Sequence, residues 1–220
     1  MAQVAVVLSG CGVYDGAEIH EAVLTLLYLD KAGAQVQCFA PDKPQAHVVN
    51  HLTGQPAPEE SRNVLVESAR IARGEIKPLS ELNMDFFDAV IFPGGFGAAK
   101  NLCTFASDGG DCQIEPDAQR VIEEAVEEGK VIGAICIAPA LVARALKGKE
   151  RKPIVTIGTD AAAAGALRAM GSENLPKSVN EIAVDEKNKI VTTPAYMLGP
   201  SISHVSLGIE KLVAQVLSMI

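Results

Sequence analysis

Residues 131–139 read VIGAICIAP, an apolar run that leads through small residues to a proline. Five consecutive apolar residues without polar alternation are typical of a parallel strand covered on both faces. Proline is favoured in the first turn of a helix. The stretch therefore predicts a buried strand over 131–135, a sharp turn at Cys136 and a helix over 139–146.

The rest of the chain repeats this alternation of strand and helix. Further strands are predicted at 4–8, 36–40, 88–92 and 154–157, and a hairpin at 182–191. Further helices are predicted at 17–31, 61–72, 115–128, 161–170 and 201–217, with Ser61 as the N-cap of the second of these. The order predicts one α/β domain over residues 1–220, with a mainly parallel sheet, helices on both faces and a C-terminal hairpin.

The composition narrows the class of protein. The chain has 220 residues, 48% of them hydrophobic, which is enough for one α/β core. A net charge of −8 without a basic run argues against a nucleic-acid partner. No apolar stretch approaches the ~18 residues of a membrane helix, the amino terminus has no basic signal segment, and the five cysteines form no CxxC pair. We therefore expect a soluble cytoplasmic protein with reduced thiols and no membrane partner.

Cys136 is the candidate nucleophile. A reactive side chain between a strand and a helix has the layout of a nucleophile elbow. The free N–H groups and the dipole of the following helix favour a thiolate at this position. Free cysteine is also among the most buried residue types, so this segment alone leaves an inert buried cysteine equally open.

A second turn, FPGGFG at residues 92–97, ends another predicted strand. Because carboxyl ends of parallel strands meet at one sheet edge, this turn is expected beside Cys136. The amides of Gly94 and Gly95, with no side chain in the way, could form an oxyanion hole. A plain tight turn is the alternative.

Titratable residues at the first helix are expected near the same edge. Glu18, His20 or Glu21 could supply a general acid or base to Cys136, although acidic residues are also ordinary at a helix start. No histidine follows Cys136 before His204. This absence argues against the catalytic triad of a protease or glutaminase.

Two other motifs suggest ligands only weakly. SGCGVYD at residues 9–15 begins like a dinucleotide fingerprint, but Asp15 stands where the third glycine belongs and would repel a pyrophosphate. His47 and His51 have the i, i+4 spacing of metal ligands on a helix, with no third ligand nearby. We therefore expect no metal and no cofactor, and the role of Cys11 stays open.

Three features together carry a resemblance to a known family: the Pro93-Gly94-Gly95 turn, the Cys136 elbow followed by Pro139, and Glu21 twelve residues before Gly33. The chain resembles the ThiJ/PfpI, class I glutamine amidotransferase-like superfamily over nearly its whole length. Within that superfamily it resembles the ElbB subgroup, which is linked to isoprenoid biosynthesis. The strings that resemble this subgroup are SGCGVYDGAEIHEAVL, FAPDK, ESRNVLVESARIARGEI, FPGGFGAAKNL, CIAPA and NKIVTTPAYM.

The resemblance implies a flavodoxin-like three-layer sandwich, usually a homodimer. It implies that Glu21 hydrogen-bonds to Cys136 and that the amides of Gly94, Gly95 and Ile137 hold an oxyanion. Many relatives carry a histidine where this chain has Gly158, which counts against a mechanism that needs a histidine base.

The resemblance further implies a cofactor-independent, glyoxalase III-like lyase. Cys136 would add to glyoxal, with methylglyoxal as a second candidate substrate, and Glu21 would move a proton within the adduct to give glycolate or lactate. The alternative is a redox-sensing or regulatory protein with an oxidisable Cys136 that supports isoprenoid metabolism. A glutaminase-like amidotransferase subunit ranks last because the histidine partner is missing.

Overall fold

The structure is a computed structural model that describes residues 1–220. The strands, in chain order, are β1 (Gln3–Val7), β2 (Gln35–Ala40), β3 (Val49–Asn50), β4 (Gln55–Pro56), β5 (Ile76–Pro78), β6 (Ala89–Phe92), β7 (Val131–Ile135), β8 (Ile154–Val155), β9 (Glu173–Asn174), β10 (Ala183–Asp185) and β11 (Ile190–Thr193). The α-helices are α1 (Ile19–Lys31), α2 (Val64–Ile71), α3 (Phe96–Lys100), α4 (Phe105–Asp108), α5 (Pro116–Glu127), α6 (Pro139–Ala145), α7 (Ala161–Ala169) and α8 (Ile202–Ser218). Short 3-10 helices occupy Leu79–Glu81, Met84–Phe86, Gly109–Asp111 and Ala195–Met197.

A seven-stranded sheet forms the centre of the fold, in the order β10-β11-β7-β6-β1-β2-β5. All neighbouring strands are parallel except β10, which pairs antiparallel with β11 in the predicted C-terminal hairpin. In register, Phe92 of β6 lies beside Ala134 of β7. The carboxyl ends of these two strands are therefore adjacent, as the sequence predicts.

Apolar side chains cover both faces of the sheet. All five residues of β7 are buried, with Ile132 and Ala134 in one core cluster and Val131 and Ile135 in the other. Helices α1 and α8 pack together on the second side. Truncating fully buried Ile132 to alanine would cost roughly 2–5 kcal/mol. The flavodoxin-like three-layer α/β fold predicted from the sequence is confirmed.

Several predicted elements differ in detail. The strand predicted at 154–157 stops at Val155 and pairs with β9 in a separate two-stranded sheet, outside the central one. Helix α2 begins at Val64 with Asn63 as its N-cap, so the assignment of that cap to Ser61 is wrong. The side chain of Asn63 accepts the N–H of Val66, a bond that a residue two positions earlier cannot make.

Several short elements were absent from the predicted set, among them β3, β4, β5, β9, α3 and α4. The β3–β4 hairpin and the edge strand β5 have only two or three residues per strand, too few to show a periodic pattern. No helix in the structure combines the length and the apolar character that a membrane crossing needs.

Candidate active site

Cys136 occupies the strained turn that the sequence predicts. It follows β7 directly and has a φ of 62°, in the left-handed region that non-glycine residues rarely adopt. Its N–H donates to the carbonyl of Thr193 (2.9 Å), and the N–H of Ala138 donates to the carbonyl of Ile135 (3.0 Å). These bonds hold the turn, and Pro139 then opens α6. The residue Cys136 is 8% exposed and lies at the base of a cavity.

The carboxyl group of Glu21 lies beside this thiol, and both groups pack against Gly94. Glu21 is fully buried in the first turn of α1. Its Oε2 accepts the N–H of Gly94 (3.0 Å), and its Oε1 accepts the N–H of Tyr196 (3.1 Å). The side chain therefore connects α1 with the ends of three other elements.

Glu18 fixes where α1 begins. It is the N-cap, and its Oε2 accepts the N–H of Glu21 (2.7 Å). Because the helix is capped at residue 18 and begins at Ile19, Glu21 faces inward on the first turn. The predicted start at residue 17 is therefore two positions early.

The two glycine amides of the turn after β6 have different partners, although both were predicted to face an oxyanion. The N–H of Gly94 is taken by Glu21, so this amide is unavailable to a substrate oxygen. The N–H groups of Gly95 and Ile137 instead lie near the sulfur of Cys136, where they favour its ionised form. The Gly94 amide therefore cannot serve in the predicted oxyanion hole, which leaves Gly95 and Ile137 as its candidate donors.

Close packing explains why glycine occupies both positions. A Cβ at Gly94 would lie 2.5 Å from the Cβ of Cys136 and 2.6 Å from Oε2 of Glu21. At Gly95, φ is +94°, and a Cβ would lie 2.3 Å from the N of Glu18. A side chain at either residue would push the turn away from the thiol and the carboxyl.

Burial controls the protonation of the pair. Burial, and next the charge of Glu18, raise the pKa of Glu21 to about 8. Burial, and next the charge of Glu21, raise the pKa of the Cys136 thiol well above its ordinary value. The expectation of a thiolate at neutral pH is therefore wrong, because desolvation outweighs the amides of Gly95 and Ile137. Glu21 therefore keeps its proton until the pH approaches about 8, and its charge then further disfavours ionisation of the Cys136 thiol.

A cavity of about 250 Å³ opens beside Cys136. Its wall is mostly apolar, with Glu18 as the one acidic residue on it and Tyr196 beside it. Glu21 is behind the wall, in contact with the thiol but not with the cavity. The lining residues are Val13, Glu18, Gly95, Phe96, Cys136, Ile137, Tyr196 and Met197.

Tyr196 is the main site residue that sequence reasoning missed. It lies in the 3-10 helix after β11, whose first residue Ala195 has a φ of 42°. Its hydroxyl is 2.8 Å from Nδ1 of His20, and Oε1 of Glu18 is 4.0 Å from the same nitrogen. Burial and the charges of Glu18 and Glu21 raise the pKa of Tyr196. An isolated tyrosine after a strand gives no periodic signal from which this placement could be predicted.

The other candidate ligands lie elsewhere. His47 and His51 flank β3, so their spacing does not place them on one helix face. Buried Asp15 accepts the N–H of Val49 (2.8 Å), and His51 accepts the N–H of Tyr14 (3.2 Å). His204 is exposed and bonded to Ser201, and Cys11 is close to the charged residues of α2. No group of three or more His, Cys, Asp or Glu side chains is arranged to hold a metal ion.

The fold and the elbow define a class, the flavodoxin-like α/β proteins with an amidotransferase-like domain. No protein-family model matches the chain. It is 52% identical to a human protein, glutamine amidotransferase-like class 1 domain-containing protein 3, mitochondrial, over 99% of this chain and 83% of the relative. It is 51% identical to the ES1 protein homolog, mitochondrial, of Rattus norvegicus, over 99% of this chain and 84% of the relative. The chain belongs to the glutamine amidotransferase-like class 1 domain family.

Solved structures agree with this assignment. An isoprenoid biosynthesis protein with an amidotransferase-like domain from Ehrlichia chaffeensis superposes with a TM-score of 0.93 at 38% identity, over 100% of this chain and 99% of that one. DJ-1beta from Drosophila melanogaster superposes with a TM-score of 0.55 at 17% identity, over 99% of this chain and 95% of that one. The second likeness shows the shared fold alone.

The relatives also overturn one prediction. The human and rat proteins, and a 40% identical ES1 protein from Danio rerio, are all named as mitochondrial. The cytoplasmic location expected from the amino-terminal sequence is therefore wrong. It rested on a missing signal segment, which is weak evidence about the compartment.

Proposed function

We propose that this protein is a cofactor-independent, glyoxalase-type lyase that converts glyoxal to glycolate and methylglyoxal to lactate. The proposal rests on the buried, adjacent side chains of Cys136 and Glu21 at the base of the cavity. The amides of Gly95 and Ile137 point at the same sulfur. A nucleophile, a base and two oxyanion donors thus converge at one point.

The first step is addition of the thiol to an aldehyde. The sulfur of Cys136 forms a bond to the carbonyl carbon as the C=O π bond breaks, and the thiol proton passes to Glu21. The new alkoxide is held by the amides of Gly95 and Ile137, and a proton then converts it to the hemithioacetal hydroxyl. With a pKa of about 8, Glu21 is ionised in only part of the molecules near neutral pH, and this ionised fraction accepts the thiol proton.

The second half of the reaction moves a hydrogen within the adduct. The C–H hydrogen of the hemithioacetal leaves as a proton, the neighbouring carbonyl carbon gains one, and the product is a thioester of a 2-hydroxy acid. Water then attacks the thioester, releasing the acid and restoring the Cys136 thiol. The sum is dicarbonyl plus water to 2-hydroxy acid, with no external oxidant or reductant.

The cavity supports a small, uncharged substrate. Its volume of about 250 Å³ is several times the ≈ 30 Å³ that one water occupies in the liquid. Most of its wall is apolar and one carboxyl group lies on it, a surface that favours a neutral aldehyde over an anion. We also propose that the chain belongs to the ElbB subgroup, and the description of the Ehrlichia relative as an isoprenoid biosynthesis protein supports this proposal.

Redox sensing by Cys136 is the less supported alternative. Peroxides react with the thiolate, and burial together with Glu21 raises the pKa of this thiol. The resting pair is then poorly suited to sensing at neutral pH. A glutaminase role lacks support as well, because the histidine beside the cavity, His20, contacts Tyr196 and Glu18 rather than Cys136.

Product analysis tests the proposal. The protein is incubated with glyoxal or methylglyoxal, and glycolate or lactate is quantified by chromatography. We expect product with the unchanged protein and with Cys38→Ala, which removes another buried thiol, but none with Cys136→Ala. Equal product with the unchanged protein and Cys136→Ala would overturn the proposal.

A further inference from the structure

Because of where Glu21 lies, one step of the proposed reaction has no residue to carry it out. This step is the removal of a hydrogen from the substrate carbon. Both carboxyl oxygens of Glu21 accept backbone N–H groups, at 3.0 Å and 3.1 Å, and the side chain is fully buried. Glu21 contacts the thiol but not the cavity in which the rest of the substrate would lie. It can exchange the thiol proton, but it is badly placed to take a hydrogen from the substrate carbon.

The cavity wall itself carries two polar side chains, Glu18 and Tyr196. Glu18 uses Oε2 to cap α1, while Oε1 has no hydrogen-bond partner and lies 4.0 Å from Nδ1 of His20. The hydroxyl of Tyr196 is 2.8 Å from that nitrogen. The backbone N–H of Tyr196 donates to Glu21, so this wall is tied to the pair at the base of the cavity.

The side chains of Glu18 and His20 differ in how much of their surface is exposed to solvent, and this difference suits proton transfer. The side chain of Glu18 is only 11% exposed, whereas that of His20 is 52% exposed. The neighbouring acidic charges and burial keep the phenol of Tyr196 protonated, so it begins the reaction as a proton donor. His20 is 2.8 Å from the Tyr196 hydroxyl and can hold it by hydrogen bonding.

We propose that Glu18 and Tyr196 are the acid–base pair that moves the hydrogen within the Cys136 adduct, and that His20 is a positioning residue for the Tyr196 hydroxyl. This inference rests on the proposed glyoxalase-type function. Glu18 and Tyr196 would supply the acid–base chemistry that a histidine partner of Cys136 would otherwise provide, and this chain has no such histidine partner. Glu21 is left with the ionisation of the thiol.

Glu18 and Tyr196 each exchange one proton with the adduct and end the step unchanged. Glu18 takes the C–H proton of the hemithioacetal carbon, the freed electron pair forms a C=C bond, and the neighbouring carbonyl oxygen receives the proton of Tyr196. In the resulting enediol, Glu18 returns its proton to the second carbon. The hydroxyl on the first carbon then loses its proton to Tyr196, which leaves the thioester and restores both side chains.

The same arrangement selects a class of substrate. Two adjacent carbonyl groups are needed, because a simple aldehyde would stop at the hemithioacetal. The carboxylate of Glu18 would repel a 2-oxo acid such as glyoxylate. The expected class is therefore small, uncharged 1,2-dicarbonyl compounds.

Three conservative variants with matched controls test the proposal. Glu18→Gln keeps an oxygen for the helix cap, and Glu115→Gln makes the same change at the cap of α5. Tyr196→Phe removes one hydroxyl, and Tyr28→Phe removes another that bonds to Ser206. His20→Asn keeps a nitrogen near the Nδ1 position, and exposed His47→Asn is its control.

With glyoxal as substrate, we expect kcat to fall about 10²-fold or more in Glu18→Gln and Tyr196→Phe, with KM little changed. The isotope effect on kcat with carbon-deuterated glyoxal should increase in Glu18→Gln, because hydrogen transfer then limits the rate. His20→Asn should lower kcat less and alter its pH profile, which a purely structural role would not do. The three control variants should match the unchanged protein.

This inference would be overturned if Glu18→Gln and Tyr196→Phe both keep kcat within twofold of the unchanged protein, with activity above the Cys136→Ala background. The proposed function would then stay intact. If Glu18→Gln fails to fold, Tyr196→Phe alone applies the same criterion. An inactive unchanged protein would overturn the proposed function itself. Turnover of glyoxylate at the rate of glyoxal would contradict the substrate class.

Discussion

The carboxyl group of Glu21 lies beside the thiol of Cys136, and both side chains are almost completely withdrawn from solvent. Two anions cannot coexist at this spacing in such a site. The pair therefore acts as one unit with a shared negative charge. Its chemistry depends on when the first proton leaves and on which groups then surround the sulfur.

The reactivity of Cys136 should rise with pH through about 8. Below that value Glu21 keeps its proton and cannot accept one from the thiol. We expect iodoacetamide to modify Cys136 slowly at pH 6 and much faster at pH 9, as measured by peptide mapping. Cys38, whose pKa burial raises to about 11, is an internal control that should stay slow. Equal modification of Cys136 at pH 6 and pH 9 would contradict the shared-proton account.

The stability of the protein should fall as the pH rises from about 5 to about 8. The pKa of Glu21 is raised to about 8 in the folded state from an ordinary value of 4.5, so the folded protein binds more protons over this range. Unfolding then becomes easier at higher pH, by at most about 1.4 kcal/mol per pH unit from this group.

Urea unfolding of Glu21→Gln at pH 5.5, 6.5 and 7.5 measures that contribution. The variant should lose much of the pH dependence, and its stability relative to the unchanged protein should increase with pH. Glu115→Gln, at an N-cap nearer the surface, should keep the original slope. Parallel pH profiles for Glu21→Gln and the unchanged protein would show that Glu21 ionises normally in the fold.

Gly94→Ala should separate the thiol from the carboxyl. The new Cβ would meet both Cys136 and Glu21 at 2.6 Å or less. We expect a loss of stability of about 1–3 kcal/mol and a Cys136 that no longer shows the pH-dependent modification. Gly165→Ala, in helix α7 with nothing closer than 3.9 Å, should instead stabilise the protein by up to about 1 kcal/mol. Wild-type reactivity in Gly94→Ala would mean that the close approach is unimportant.

The homodimer expected from the sequence stays a prediction, and helix α1 suggests where to test it. Ile19, Val23 and Leu27 form a stripe at four-residue spacing, and each is at least 40% exposed. Val23→Glu should convert a dimer to a monomer in sedimentation velocity. Val66→Glu, on the exposed face of α2, is the matched control and should sediment like the unchanged protein. A monomer before any substitution would refute the prediction.

The elbow could be predicted from sequence because local patterns specify it. A continuous apolar run followed by Cys136 and Pro139 specifies strand, turn and helix, and the FPGGFG turn ends the adjacent strand. Tyr196 and the fate of the Gly94 amide could not be predicted, because both depend on contacts between elements far apart in the chain. The ionisation state was mispredicted for a related reason. The helix dipole is visible in sequence, but the extent of burial that outweighs it is not.

Detection of the covalent intermediate on Cys136 tests whether this thiol is the nucleophile of the reaction. The protein is mixed with ¹³C-labelled glyoxal, quenched in acid during turnover, and mapped by peptide mass spectrometry. We expect a labelled thioester on the peptide containing Cys136, absent from Cys136→Ala and accompanied by labelled glycolate. Labelled glycolate formed without any label on Cys136, or equally by Cys136→Ala, would contradict it.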